Sequence, residues 1–135
     1  MKSNVVQPPS VTAGAINTLV HMCHSAAKTR GWWNDPKTGE AYSPQTPFLV
    51  GAKLALVQSE VSEALEGDRK GKMDDHLQHR KSVEVELADA VIRIFDLAGF
   101  LGLDLGGAFA EKMAYNAHRS DHDPANRAKA GGKAY

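Results

Sequence analysis

Two stretches of this chain, "SEVSEALEG" at 59–67 and "EVELADAVIRIFD" at 84–96, keep apolar residues at helical spacing yet set acids at i and i+3 within the apolar face. At about 100° per residue, Glu60 falls among Leu49, Leu56, Val57 and Ala64, with Glu63 about 60° away at the edge of that face. Glu66 lies on the opposite, solvated side. In the second stretch Glu86 is flanked by Val83, Ala90 and Leu97, Asp89 sits about 60° round, and Asp96 follows two turns further along Asp89's side. Ionised carboxylates cost several kcal/mol each to desolvate, so two helices that turn such faces inward must meet around something cationic.

Two kinds of cation answer. Arg93 lies close to Glu86 on the helical wheel and Lys53 close to Glu60, which allows a structural ion-pair cluster. The all-oxygen set Glu60, Glu63, Glu86 and Asp89 equally suits a hard divalent ion, Mg²⁺ or alternatively Mn²⁺, and offers neither the imidazole nor the thiolate that zinc and copper favour. Magnesium is usually held jointly by carboxylates and substrate phosphates. The second solution therefore points to phosphate-ester or phosphoanhydride chemistry.

The rest of the chain reads as helices with one long loop. A first helix is expected from Val11 to about Arg30, stopped by Gly31, with Cys23 and His24 packed along it. "GWWNDPKTGEAYSPQTP" is a long loop by its Gly, Pro, Asn, Asp and Ser content. A second helix is expected from Pro47 to Gly67, a third from Ser82 to Leu101, and a fourth from Leu105 to Arg119 with Asp104 placed to cap it. The polar stretch 67–81 connects the second and third helices, and residues 120–135 form a polar tail, extended or mobile. No alternating strand pattern appears. The expected fold class is all-α: one domain over 1–135, an antiparallel four-helix bundle.

Composition narrows the partners. Sixteen Lys plus Arg balance sixteen Asp plus Glu, leaving no global field to recruit a nucleic acid polymer or an anionic membrane. The single Cys23 excludes an intrachain disulfide and suits a reducing compartment, so cytoplasm is the expected location, host cytoplasm if the source is a virus. No segment approaches the roughly 20 apolar residues of a membrane span, and the first residues lack a signal-peptide core.

On the fourth helix, Leu105, Phe109, Lys112, Asn116 and Arg119 share one face that turns polar toward its end. Lys and Arg there can bind phosphate oxygens, and Asn can orient a phosphate or a sugar hydroxyl. "EVSE" at 60–63, the 22-residue gap, "ELAD" at 86–89, "KTRGWW" before them and "KMAYNAHR" after them resemble the all-α nucleoside triphosphate pyrophosphohydrolases, the MazG-like and dimeric dUTPase-like group. The resemblance covers residues 15 to 120 and implies a MazG-type fold in a homodimer or homotetramer whose active site borders both protomers. It implies hydrolysis of a nucleoside triphosphate to the monophosphate and pyrophosphate with Mg²⁺ held by Glu60, Glu63, Glu86 and Asp89. One inner acid, Glu63 by expectation, would help activate the attacking water, and Lys112, Asn116 and Arg119 would contact phosphate or sugar. Trp32 and Trp33 either stack on the nucleobase or anchor the loop, and Asp96 would support the ligands from behind.

Other readings fit less well. A di-iron bundle needs Glu-x-x-His motifs, and no Glu here has a His three residues later. "GDRKGKM" lacks P-loop spacing, and His122-Asp123 stands in the tail without helical partners. A non-catalytic oligomerisation protein with a structural acid–base cluster, and a homologue that binds nucleotides without turnover, are the remaining alternatives.

Overall fold

A computed structural model describes residues 9–133. It is all-α: helices α1 (Pro9–Thr29), α2 (Leu49–Lys70), α3 (Ser82–Phe100) and α4 (Leu105–Ala117) precede a 3₁₀ turn at Ser120–His122 and the single-turn helix α5 (Pro124–Arg127). Among the described residues the only β pairings are the isolated bridges Asn34–Ala41 and Met73–Lys81. The helical, bundle-like class expected from the periodicity is the one observed. The described residues form two compact units, residues 18–103 and residues 9–17 together with 104–133, so that α1 supplies part of each.

Within the 18–103 unit, α2 and α3 form an antiparallel hairpin. Gly67 near the end of α2 meets Ser82 at the start of α3, and Glu60, two turns back along α2, meets Arg93. Gly67 was expected to stop α2 but is buried inside it, because a Cβ there would come within 2.6 Å of Ser82 Oγ. The helix runs on to Lys70 and ends at Gly71, whose φ of 59° lets its amide and that of Lys72 bond back to Asp68 and Gly67 carbonyls. Its start also differs from expectation. Phe48 takes the left-handed conformation, so the helix begins at Leu49 and Pro47 stays in the preceding turn.

The approach of α1 to α3 turns on Gly99, where an added Cβ would stand 2.5 Å from His24 Cβ. That atom is fixed to the α1 backbone and cannot swing aside. Gly99→Ala should therefore lower unfolding stability in urea, since overpacking of roughly 1–3 kcal/mol exceeds the roughly 1 kcal/mol gained in helix propensity. A more stable variant would show that α1 and α3 do not pack this closely.

In the other unit Asp104 caps α4 as expected. Its carboxylate accepts the Gly107 amide at 2.9 Å and an Asn17 side-chain N–H at 2.8 Å, while Asn17 Oδ1 accepts the Gly106 amide. The tail departs from expectation. Helix α4 ends at Ala117 rather than Arg119, and the described residues after it, up to Lys133, fold into turns instead of running extended, residues 134–135 lying outside the described residues. Asp121 gathers Arg119 and Lys133, and Asp123 caps α5 with Pro124 behind it. The fold's apolar core is small, built on Val20, Trp33, Ala64, Ala90, Leu97 and Ala98. Glu60, 7 % exposed, is the one charged residue buried with it among the described residues.

Candidate metal centre

The hairpin register explains the centre. Glu60 and Glu63 stand one turn apart on α2, and the antiparallel α3 brings Glu86 opposite them. One carboxylate oxygen from each lies within 4.8 Å of the others, with Glu60 buried, Glu86 half-buried and Glu63 exposed. Burial pushes the Glu86 carboxyl above its ordinary value, and the neighbouring Glu63 and Glu60 charges push it further. Asp89 is also raised, first by burial and then by Glu60, with Arg93 acting against the shift. Asp89 follows one turn along α3 but does not join the 4.8 Å set, so three of the four expected ligands are brought together.

Three acids held this closely resist ionising together unless a cation joins them. The donor set fits a hard divalent ion: carboxylate oxygens only, converging from two helices, with one open to solvent. The arrangement can hold such an ion.

The helical wheel missed the cluster's protein cation. Arg93 was expected beside Glu86 on its own helix. Instead it reaches across to α2 and donates from Nε to Glu60 Oε1 at 2.5 Å. Lys53, the wheel neighbour of Glu60, lies with its ammonium 4.3 Å from the Trp33 ring centre. A wheel shows only neighbours on one helix, whereas this pairing depends on register between two.

Trp33 is 4 % exposed and has neither face open, since Phe100 stacks on it at 3.8 Å and Lys53 caps it. Of the two readings for the tryptophans, Trp33 takes the anchor. Trp32, 66 % exposed, keeps its ring available. Asp96 serves the same anchor: its Oδ1 accepts the Trp33 indole N–H at 2.8 Å and lies 2.9 Å from His24 Nδ1. Its observed partners are thus the loop and α1. Burial, followed by the Asp96 charge, holds the Cys23 thiol above its usual range.

Lys112, Asn116 and Arg119 belong to the other unit. Lys112 lies over the Tyr115 ring at 4.7 Å, and Asn116 Oδ1 is buried without a hydrogen-bond partner. Arg119 makes two bonds to Asp121, of 2.9 and 2.6 Å. Arg119 and Lys133 hold the Asp121 carboxyl well below the usual range. Beside them opens a cavity of about 530 Å³ lined by Tyr115, His118, Arg119, Ser120 and Asp121. No helix among the described residues is long and apolar enough to cross a membrane. No family model, curated protein or solved structure matches the chain.

Proposed function

We propose that the chain is a Mg²⁺-dependent nucleoside triphosphate pyrophosphohydrolase of the MazG-like and dimeric dUTPase-like kind. It would convert a ribo- or deoxynucleoside triphosphate to the monophosphate and pyrophosphate, in housecleaning or control of a cytoplasmic nucleotide pool. The observation that carries this reading is the convergence of Glu60, Glu63 and Glu86 from the two motif helices.

Glu60, Glu63 and Glu86 would hold the ion, with Asp89 close enough to feel the Glu60 charge. Bound Mg²⁺ acidifies water and offsets charge on a polyphosphate. Glu63, the exposed member, would take the proton from the attacking water as the water oxygen bonds to the α-phosphorus, the α–β bridging bond breaks and pyrophosphate leaves. The resemblance assigns phosphate contacts to Lys112 and Arg119, and Arg119 would have to exchange Asp121 to make them. Asn116 Oδ1 is an acceptor and suits a sugar hydroxyl better than a phosphate oxygen. Trp32 is the ring available for a base.

A homodimer or homotetramer accounts for the apolar residues left exposed on the hairpin, Leu54, Val61 and Leu65 on α2 with Leu87, Val91 and Ile92 on α3.

The test is a product assay with Mg²⁺ and a panel of nucleoside triphosphates, resolving mono- and diphosphate, pyrophosphate and phosphate, beside Glu63→Ala. Monophosphate with pyrophosphate, lost in the variant and with EDTA, is expected. One observation favours a second reading: the Glu60–Arg93 pair is also what a structural acid–base cluster in an oligomerisation protein would contain. That protein would turn over no nucleotide, ignore EDTA, and loosen its assembly in high salt. Tight nucleotide binding without products would identify a homologue that has lost turnover.

A further inference from the structure

Glu60 and Arg93 are unequal partners. Glu60 is buried, whereas 42 % of the Arg93 side-chain surface is exposed, so the guanidinium can leave for water and the carboxylate cannot. Arginine keeps its charge at any relevant pH, and the pair therefore cannot be released by deprotonation. The Arg93 charge also acts on Asp89 and on Lys53, so its influence is not confined to Glu60.

We propose that Arg93 is a resident counter-ion which a divalent cation displaces from Glu60, so that Arg93 sets the cation concentration at which the centre loads. The inference rests on the metal-centre reading above. Its consequence is a centre that stays paired and folded when the cation is scarce, at the cost of weaker binding. Were Arg93 instead a fixed support that orients Glu60 for the ion, its removal would weaken binding, the opposite sign.

Mn²⁺ serves as the probe, with titration calorimetry and electron paramagnetic resonance on the full-length protein. Arg93→Gln should bind Mn²⁺ about tenfold more tightly, equivalent to about 1.4 kcal/mol. Its metal-free form should melt below the wild type, with a larger rise in Tm on adding Mn²⁺. Arg93→Lys should tighten binding by a smaller factor, because an ammonium is more strongly hydrated and leaves the buried carboxylate more readily. It also serves as the readout if the glutamine variant does not fold. Unchanged or weaker Mn²⁺ binding in the variants, with the wild type binding normally, overturns the counter-ion role and leaves the metal centre standing. Failure of Mn²⁺ to bind any form, with Tm indifferent to EDTA, removes the metal centre and this inference together.

Discussion

Glu60→Ala should abolish Mg²⁺-dependent release of pyrophosphate while leaving a folded protein. Groups that merely support a metal ligand cost roughly 10–100-fold when removed, so if Glu60 is a ligand in the proposed centre its loss should cost at least about 100-fold in kcat/KM. The fold survives because Arg93, the partner left behind, is exposed enough to rehydrate. The remaining acids gain as well: removing Glu60 takes away one of the charges that raise Glu86 and the stronger of the two charges that raise Asp89. Glu66→Ala is the matched control, since Glu66 sits on the same helix but pairs with Lys70 and Arg69 at the surface, away from the triad. Product formation followed by ³¹P NMR would read both variants. Retained turnover in Glu60→Ala, with circular dichroism unchanged, would take the acid triad out of the chemistry.

The acid pattern was legible because it is a property of single helices. An i, i+3 spacing places Glu60 and Glu63 on one edge whatever the helix packs against, and the same holds for Glu86 and Asp89. What a single helix cannot encode is register. Arg93 reaching Glu60 requires Gly67 to let α3 start against α2, and Gly67 reads in the sequence as a terminator when it is a close-approach residue. Gly71, four residues on, carries the left-handed turn that ends α2. The same limit explains the fourth helix. Lys112, Asn116 and Arg119 lie on one continuous helical face in projection, but α4 stops at Ala117 and Arg119 turns to Asp121. The tail looked featureless because its order comes from short-range caps and ion pairs around Asp121 and Asp123 rather than from apolar periodicity.

Trp33→Ala should lower unfolding stability by roughly 3–5 kcal/mol, whereas Trp32→Ala should stay within about 0.5 kcal/mol. The adjacent residues differ entirely in environment: Trp33 stacks on Phe100 with the planes 10° apart, carries Lys53 on its other face and donates to Asp96, while Trp32 projects into solvent. Trp33→Phe separates the two contributions of the anchor. It keeps the stack on Phe100 and removes the indole N–H, so it should cost about 1 kcal/mol for the lost hydrogen bond plus a share for the smaller ring. Asp96 would keep its contact with His24. Urea unfolding of the three variants orders them, and Trp32→Ala proving the costliest would reverse the assignment of the anchor. Kinetics then complete the division. If Trp32 is the base-stacking ring, Trp32→Ala should raise KM for the preferred triphosphate with stability unchanged, and an unchanged KM would leave base recognition to residues outside this loop.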